Sequence, residues 1–500
     1  MINYSKINEF LYEGVVDIPY CPATQVFEKL ACKQERKFLF ESKDVSEVYG
    51  RFSLIGFDPC LQLMGKDEFF EIEKLNDRAE PFLKNLSESD FAGALDLSFG
   101  ADKIVGKIMK SKQAVNEEER SKMQNSAQVL RMMLKKFRLD QRTNLGFYGA
   151  FSYDFVRLFE SIPDQLPKND VPDFKFGLYD TFVFFDHLKE RAQVIVYRES
   201  TDEIDELHED ILHALKSKPE CKEDYEITDD EFLYTQGEYE AMVEVAKDLA
   251  KRGELFEVVF ANILEAKFKG GAYGLYKHYS QINPSPYLFY FDFGDEQLVG
   301  ASPEMMIRCE ARKVNLRPIS GTAKRGADPI EDHENMLGLL ADEKERAELD
   351  MLIDLGRNDL ARVCKPGIEI SDYRFVEKYS RVMHTVTHLT GTLRDDVTSL
   401  DAYISCANAG TLTGAPKVAA MKAIEANEKV RRGYYGGAIG YLTFADEMNT
   451  GIIIRTAHIK NEKLKLQVGA TLLYDSKPAK EYQETINKAQ AFLDLLTKQA

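Results

Sequence analysis

Two segments of this 500-residue chain place glutamates three residues apart. Glu345 and Glu348 form one pair, and Glu481 and Glu484 form the other, which follows a Ser-Lys-Pro sequence and precedes Lys488 by one turn. Residues i and i+3 project from the same side of a helix, so each pair predicts one acidic helix face. Brought together, the two faces would offer oxygen ligands suited to Mg²⁺; taken separately, each also fits an ordinary exposed helix.

Glycine-rich turns are the second chemical feature of the sequence. They occupy residues 300–304, 317–322, 410–417 and 433–438. Glycine allows close backbone approach, so exposed amides in these turns could bind a carboxylate-bearing ligand. Each turn by itself is equally compatible with a simple tight connection.

Several common chemistries are missing from the sequence. It contains no P-loop, no G-x-G-x-x-G dinucleotide turn and no G-x-S-x-G elbow, which argues against nucleotide, NAD and serine-hydrolase chemistry. The seven cysteines are scattered without a C-x-x-C pair. This pattern predicts reduced structural thiols rather than a disulfide framework or a zinc site.

Composition limits the partners that the protein can have. Lys and Arg total 65 against 83 Asp and Glu, so the net charge is −18 and the average field repels a phosphate backbone. We therefore expect no nucleic-acid partner. The sequence shows no apolar run of the roughly 18 residues that a membrane span needs, and no signal-like start, so we expect no membrane association and a cytoplasmic location.

The elements that must position these residues divide near residue 235. Residues 1–235 alternate short apolar runs with turns and predict a β-rich region, with strand-like runs at 37–42, 50–56, 146–153 and 181–185. A charged stretch at 115–120 predicts a solvated segment before a helix. Residues 236–500 alternate predicted helices, such as 239–252, with predicted strands at 287–291 and 451–455.

Taken together and in order, the motifs resemble those of chorismate-using enzymes, most closely the large components of anthranilate synthases. The resemblance is dense over residues 238–490. Its motifs are 300–304, 318–322, 342–359, 379–384, 410–417, 432–440, 454–456 and 475–488. The first half matches more thinly, through residues 40–42 and 50–56.

The resemblance implies an α+β fold in which large, mainly antiparallel β-sheets form a sandwich with helices on the outside. It also implies a buried cleft for chorismate and Mg²⁺. In that cleft Glu348 and Glu481 are expected to bind the metal, with Glu345 and Glu484 bonding metal-bound waters. An Mg²⁺ ion there would hold a substrate carboxylate and neutralise an acidic pocket.

The same resemblance assigns roles around the substrate ring. Glu304 stands at the position of the general acid that protonates the leaving ring hydroxyl, and His384 is the candidate for assisting proton removal during aromatisation. Thr411 matches a position beside the ring. The residues expected to bind the carboxylates of chorismate are Gly321, Thr322, Tyr435, Arg455, Gly469 and Lys488.

Two further segments resemble the tryptophan feedback pocket of these enzymes. The residues implied are Glu41, Ser42, Asn283, Pro284, Tyr287 and Leu288. Leu288 stands where Met is common, a swap of similar volume. The resemblance therefore implies inhibition by L-tryptophan.

The nucleophile separates the branches of the family. Water-using relatives place a Lys where this chain has Glu257, and aminodeoxychorismate synthases often carry a nucleophilic Lys where it has Ser320. Both differences favour direct attack by ammonia, followed by loss of pyruvate to give anthranilate. No cysteine lies in a glutaminase-type turn, so we expect ammonia from solution or from a separate glutamine amidotransferase subunit.

Two departures from the commonest anthranilate pattern keep other activities open. Gln is more usual at position 257, and the turn at 469–471 reads Gly-Ala-Thr. The alternatives are an aminodeoxyisochorismate synthase of the phenazine type, which stops at the aminated intermediate, and an aminodeoxychorismate synthase. A non-catalytic ligand-binding paralogue is a more remote reading.

Overall fold

A computed structural model describes residues 2–43, 51–111, 116, 119–219, 221–379 and 382–497. Gly50, residues 115, 117 and 118 of the charged stretch at 115–120, and residues 380–381 of one predicted motif lie outside the described residues. Across the described part, no helix is both long enough and apolar enough to span a membrane.

The described residues form 26 strands. They are β1 (Asn3–Lys6), β2 (Tyr12–Ile18), β3 (Lys37–Glu41), β4 (Phe52–Phe57), β5 (Leu61–Lys66), β6 (Phe69–Lys74), β7 (Leu95–Phe99), β8 (Lys103–Lys107), β9 (Gly146–Phe151), β10 (Phe174–Tyr179), β11 (Thr181–Asp186), β12 (Arg191–Arg198), β13 (Tyr225–Phe232), β14 (Glu257–Gly270), β15 (Tyr287–Asp292), β16 (Glu296–Ser302), β17 (Met305–Glu310), β18 (Lys313–Leu316), β19 (Ile319–Lys324), β20 (Glu369–Lys378), β21 (Val382–Thr392), β22 (Gly414–Ala415), β23 (Ala438–Thr443), β24 (Met448–Ile452), β25 (Thr456–Lys460) and β26 (Lys463–Leu472).

The same part of the chain contains 12 α-helices. They are α1 (Ala23–Leu30), α2 (Glu80–Leu83), α3 (Ala127–Lys136), α4 (Thr201–Ala214), α5 (Gln236–Lys251), α6 (Ala272–Ile282), α7 (Pro329–Ala341), α8 (Glu343–Ala361), α9 (Ser399–Cys406), α10 (Gly410–Thr413), α11 (Lys417–Asn427) and α12 (Pro478–Thr497).

The strands assemble into two 13-stranded sheets. The first sheet has the order β1-β2-β12-β11-β4-β3-β15-β16-β25-β26-β14-β13, with β22 paired to β14. The second has the order β19-β21-β18-β17-β24-β23-β9-β10-β5-β6-β8-β7, with β20 paired to β21. In both sheets the neighbouring strands pair antiparallel, as predicted. Examples are β3 with β15 and β9 with β23.

The two sheets pack face to face through aromatic side chains. Phe38 of the first sheet stacks on Tyr148 of the second with 4.9 Å between ring centroids. Helices α1, α4, α6 and α12 supply apolar side chains to a separate core on the other face of the first sheet. Helices α7 and α8 pack against β19 and β21 of the second sheet. The predicted α+β sandwich with external helices is confirmed.

Most predicted elements agree with the structure, but the strand predicted over 451–455 ends early. β24 stops at Ile452, the chain turns, and β25 begins at Thr456. The turn is needed because β24 belongs to the second sheet and β25 to the first. Arg455 adopts a left-handed backbone with φ of 49° in this crossing.

The cysteine prediction needs one correction. Cys32 and Cys221 are bonded as a disulfide, with their Cα atoms 5.3 Å apart. The pair joins the end of α1 to the segment before β13, a contact across 189 residues that no local spacing announces. The other five cysteines are unbonded, as expected.

Both sheets contain strands from before and after residue 235. The first sheet joins them where β3 pairs with β15 and where β13 pairs with β14, and the second where β9 pairs with β23. The division into residues 1–235 and 236–500 stays a sequence-level prediction. In the fold, the two parts share continuous hydrogen-bonded sheets.

Candidate active site

The carboxyl group of Glu304 borders a small cavity just after β16. Its Oε1 atom accepts a hydrogen bond from Oγ1 of Thr411 at 2.8 Å. Burial raises the pKa of Glu304 to about 7, although the Thr411 hydroxyl and the charge of Arg455 both lower it. A carboxyl with this pKa carries a proton near neutral pH and can give it to a leaving oxygen.

The segment that carries Thr411 is held by cationic side chains on both sides. Lys417 donates to Oδ2 of Asp359 at 2.7 Å and to the carbonyl oxygen of Cys406 at 3.2 Å. Arg432 donates to the carbonyl oxygen of Leu412 at 2.6 Å. These bonds fix the position of α10 and therefore the hydroxyl that touches Glu304.

The positive charge of Arg455 acts on both Glu304 and His384, because it lowers the pKa of each group. Its carbonyl oxygen accepts hydrogen bonds from the Ala301 N–H at 3.2 Å and from the Tyr279 hydroxyl at 3.1 Å. No carboxylate among the described residues lies within ion-pairing distance of its guanidinium. An arginine held in this way suits bidentate binding of a ligand carboxylate.

His384 lies on β21, opposite Thr322 of β19. Its Nδ1 atom is 2.9 Å from the carbonyl oxygen of Gly321 and 3.0 Å from Oγ1 of Thr322. A carbonyl only accepts, so Nδ1 carries the proton and Nε2 is the basic nitrogen. Burial lowers the pKa of His384, which keeps the ring neutral and able to take a proton.

Gly321 brings the backbone of β19 close to the predicted metal helix. Its φ of 73° lies in the region that favours glycine. A Cβ atom there would stand 3.1 Å from Oε2 of Glu345 and 3.1 Å from Oγ1 of Thr385. The glycine therefore leaves room beside a carboxylate, as a ligand-binding turn requires.

Tyr435 and Arg455, the two residues predicted to grip one carboxylate, lie on segments that are hydrogen-bonded to each other. Gly436 N–H donates to the carbonyl oxygen of Ile453 at 3.0 Å, and Ile453 N–H donates to that of Gly437 at 2.9 Å. These bonds therefore join the turn before Arg455 to the loop that bears Tyr435.

Gly469 and Lys488 form one side of the predicted anion-binding site. A Cβ atom at Gly469 would lie 2.8 Å from the hydroxyl of Tyr435, so only glycine lets that phenol approach β26. Lys488 donates to the carbonyl oxygen of Gly469 at 2.7 Å and pairs with Glu484 at 2.7 Å. Lys488 thus ties α12 to the strand beside Tyr435.

Glu345 and Glu348 lie on α8, and Glu481 and Glu484 lie on α12, as their spacing predicts. We call these four side chains the four-glutamate cluster. Burial raises the pKa of Glu345, Glu348 and Glu481, and the charge of Glu484 adds to the rise in each case. Two helices far apart in sequence thus bring their carboxylates within electrostatic reach of one another.

The chemistry of the four-glutamate cluster fits a hard divalent cation. Its carboxylate oxygens are the ligands that Mg²⁺ prefers, and a cation would relieve their mutual repulsion. Within the described residues, no three His, Cys, Asp or Glu side chains converge as a ready-made metal-binding group. Mg²⁺ usually takes only one or two protein carboxylates and completes its shell with waters and substrate oxygens.

Glu257 at the start of β14 is almost fully buried, with 1% of its surface exposed. Its Oε2 atom has no hydrogen-bond partner among the described residues. Burial, followed by the charge of Glu348, raises the pKa of Glu257 to about 8. Its strand neighbour is Ala415 of the Gly-Ala-Pro-Lys motif, so the backbone of Glu257 lies beside the segment that carries Thr411.

The buried pair of Arg432 and Glu428 is a positioning element that the sequence analysis missed. The guanidinium lies 2.6 Å from a Glu428 oxygen and donates to the carbonyl oxygen of Val259 at 2.6 Å. It also lies over the Tyr435 ring, 5.5 Å from its centroid. Arg432 begins the 432–440 motif of the resemblance, but the only sign of its pairing is the i, i+4 spacing from Glu428, which is typical of exposed helices.

The predicted feedback residues border a separate cavity. This cavity, of about 510 Å³, is lined by strands of both sheets, and we call it the inter-sheet cavity. Glu41, Ser42, Tyr287 and Leu288 line it. Asn283 and Pro284 do not belong to its lining; the Asn283 side chain donates to the Tyr279 hydroxyl at 3.1 Å.

One known protein family matches most of the chain. The family model described as chorismate binding enzyme matches residues 95–494. This chain belongs to the chorismate binding enzymes. The resemblance inferred from the motifs is therefore confirmed, and the match extends well before residue 238, into the strands of the β-rich part.

Relatives and solved structures agree with this membership. Anthranilate synthase component 1 of Acetivibrio thermocellus is 36% identical over 491 residues, covering 93% of this chain and 90% of the relative. The protein of that name from Cereibacter sphaeroides is 33% identical, covering 93% and 89%.

Two solved structures share the fold. Anthranilate synthase component I from Streptococcus pneumoniae TIGR4 matches with a TM-score of 0.70 at 28% identity, covering 90% of this chain and 93% of that one. The isochorismate synthase MenF from Escherichia coli matches with a TM-score of 0.69 at 16% identity, covering 99% and 96%. The second likeness concerns the fold alone.

Proposed function

We propose that this enzyme converts chorismate and ammonia to anthranilate and pyruvate in tryptophan biosynthesis, as the large component of an anthranilate synthase. The observation that carries the proposal is the Glu304 site. A carboxyl with a pKa of about 7 is bonded to Thr411 and lies near an arginine that is not ion-paired within the described structure. The names and coverage of the curated relatives support the same reaction.

In this reaction Glu304 gives its proton to the ring hydroxyl, which leaves as water while the nitrogen of ammonia bonds to the ring. Burial keeps the proton on Glu304 until the hydroxyl approaches. The Thr411 hydroxyl donates to the carboxylate that remains and stabilises it.

Aromatisation requires loss of a ring proton and of the enolpyruvyl group as pyruvate. The neutral ring of His384 can take that proton on Nε2, because Nδ1–H is committed to the carbonyl oxygen of Gly321. Arg455 and Tyr435 hold the enolpyruvyl carboxylate, and their hydrogen-bonded segments keep the two donors at a fixed separation.

We propose Mg²⁺ as the cofactor, held by Glu348 and Glu481 with Glu345 and Glu484 beside them. When bound, the ion would neutralise the ring carboxylate of the substrate and stabilise charge there. Lys488 donates to Gly469 and pairs with Glu484, so it limits the negative charge that the cluster presents without a ligand.

We propose that ammonia reaches the ring from a glutamine amidotransferase subunit, since the relatives are named as component 1 of an anthranilate synthase. Glu257 is the group that would hold ammonia or ammonium. It is buried, one of its oxygens is unpartnered among the described residues, and its backbone lies beside the segment that carries Thr411. With its pKa raised to about 8, this carboxyl is largely protonated near neutral pH, so it can hold ammonia through hydrogen bonds, and only its ionised form can accept the proton that the attacking nitrogen loses.

One incubation separates the candidate reactions. The purified chain receives chorismate, Mg²⁺ and an ammonium salt, with matched samples lacking ammonium or containing a chelator. Fluorescent anthranilate with an equal amount of pyruvate supports the proposal. An aminated ring that retains enolpyruvate overturns it in favour of an aminodeoxyisochorismate or aminodeoxychorismate synthase, which the position of the amino group distinguishes. Unchanged chorismate identifies a non-catalytic binding protein.

We propose L-tryptophan as a feedback inhibitor that binds in the inter-sheet cavity. The cavity volume lies within the usual range for small-molecule sites. The buried Ser42 hydroxyl has no partner among the described residues and is available to a ligand. Ser42→Phe should fill this space and relieve inhibition while leaving uninhibited turnover nearly unchanged, with Ser42→Ala as the control.

Calorimetric titration tests the same proposal directly. Tryptophan should bind the wild-type chain, and binding should be lost in Ser42→Phe. Absence of binding to a wild-type chain that makes anthranilate would show that the motif persists without its effector.

The proposal includes a cytoplasmic location. The five unbonded cysteines favour it, whereas the bond between Cys32 and Cys221 is unusual for that compartment. Cell fractionation together with thiol titration of the native protein tests both points.

A further inference from the structure

Helix α6 contacts the proposed substrate-binding arginine, Arg455, and a residue that lines the inter-sheet cavity, Glu41, through consecutive turns of one buried face. The hydroxyl of Tyr279 donates to the carbonyl oxygen of Arg455 at 3.1 Å. One turn earlier, the hydroxyl of Tyr276 donates to Oε2 of Glu41, a residue that lines the cavity. Both tyrosines are buried.

One further contact joins α6 to the segment just after β3, and another lies at the end of the helix itself. Lys43 donates from Nζ to Oγ of Ser280 at 2.9 Å. At the end of the helix, the Asn283 side chain donates to the Tyr279 hydroxyl at 3.1 Å, so that hydroxyl both accepts and donates. The chain of contacts from Glu41 to Arg455 is therefore continuous and passes through one rigid element.

The hydrogen bond from Tyr279 helps to hold an unfavourable backbone conformation at Arg455. Its φ of 49° is costly for a residue with a side chain and persists only when neighbours hold it. The two donors to its carbonyl oxygen are Ala301 N–H and the Tyr279 hydroxyl. Small shifts of α6 would alter this conformation and hence the direction of the guanidinium.

We propose that α6 links the inter-sheet cavity to the substrate-binding arginine, with Tyr279 as the positioning residue for Arg455. The proposal rests on the proposed role of Arg455 in binding chorismate. It requires that a change at Glu41 or Tyr276 alter chorismate binding without any contact with the substrate.

The direct test replaces each tyrosine by phenylalanine. Tyr279→Phe keeps the ring packed on Phe492, at 4.5 Å between centroids, and removes only the hydroxyl. Loss of one buried hydrogen bond should raise the KM for chorismate about fivefold to tenfold while kcat changes little. Tyr276→Phe should also raise the KM for chorismate, but by a smaller factor, although its hydroxyl bonds to Glu41 and not to Arg455.

The double variant distinguishes a link from two local effects. If α6 transmits the change, Tyr276→Phe should add nothing once Tyr279→Phe is present. Additive effects, or an unchanged KM in both single variants, would overturn the proposal. The control is Tyr273→Phe, since that hydroxyl on the same helix bonds to Glu28 of α1 at 3.1 Å and should leave the KM for chorismate unaltered.

Two measurements keep this test independent of the reaction product and of folding. Calorimetric titration with chorismate alone reports affinity even if the product is not anthranilate, so a wrong reaction and a wrong link give different results. Amide hydrogen exchange in Tyr276→Phe should show faster exchange at residues 452–456, with an unchanged melting temperature excluding general destabilisation. Unchanged exchange there would contradict the link whatever the enzyme makes.

Discussion

Carboxyl groups in this molecule lie in two contrasting environments. Glu304 is a single acid in a small cavity, bonded to a hydroxyl, with a pKa near 7. The four-glutamate cluster collects acids on α8 and α12, where Glu484 and its partner Lys488 are 45% and 39% exposed. The same residue type thus forms a candidate proton donor in one place and a candidate cation site in the other.

The contrast also extends to what holds each region in place. The loop and short helix that surround Glu304 are fixed by buried cations, Arg432 with Glu428 and Lys417 with Asp359. The cluster instead sits on long helices whose positions follow from packing on β19 and β26. Proton transfer needs a donor fixed close to its acceptor, whereas Mg²⁺ takes one or two protein carboxylates and completes its octahedral shell with waters and substrate oxygens.

The cluster should show the largest effect of a single amide substitution. Glu348→Gln or Glu481→Gln keeps shape but removes charge from the proposed cation site, and turnover should fall by about a thousandfold or more. The matched control is Glu343→Gln, an exposed acid at the start of the same helix. Normal activity of both variants at ordinary magnesium concentration would contradict the assignment of Glu348 and Glu481 as metal ligands. Calorimetric titration with Mg²⁺ measures binding itself.

Glu304→Gln should have a smaller effect, because it removes a proton donor but no binding charge. We expect turnover to fall by about a hundredfold, while chorismate affinity stays close to normal. Thr411→Val, which removes only the hydroxyl partner, should cost less. An unchanged kcat in Glu304→Gln would take that residue out of the general-acid role.

The pH dependence of kcat sharpens the comparison further. The pKa of Glu304 is raised to about 7, so its proton is present below that pH and is lost above it. At saturating free ammonia, kcat should therefore fall about tenfold per pH unit above pH 7. This limb should vanish in Glu304→Gln and persist in Glu343→Gln. A profile without a basic limb in the wild type argues against the buried acid.

Glu257 should give the smallest change, because an amide can still accept a hydrogen bond from ammonia. Glu257→Gln is expected to alter the KM for ammonia by less than about tenfold, whereas Glu257→Leu should raise it more strongly. The KM for chorismate serves as the internal control and should stay constant. Equal behaviour of the two variants would exclude a polar role for this position.

The positions of the four glutamates could be predicted from sequence, because i, i+3 spacing on a helix is a local property. Both pairs lie on helices, α8 and α12, as that spacing predicts. The fold class also followed from the motif resemblance. Residues 380–381 of that resemblance remain outside the described structure.

Features that depend on the crossing of elements could not be predicted in this way. The strand expected at 451–455 fails because its last residues pass from one sheet to the other. Arg432 and Tyr279 act through partners more than 150 residues away, and their local sequence resembles ordinary surface or core. The Cys32–Cys221 bond was missed for the same reason.

The pairing of β3 with β15 has a consequence for how the protein is made. In synthesis, β3 emerges before the ribosome has translated β15, which follows roughly 250 residues later and takes about ten seconds to a minute at usual rates. During that interval an apolar strand edge has no native partner. Nascent chains should therefore depend on chaperones, and translation slowed before residue 287 should lower the soluble yield more than the same delay after residue 443.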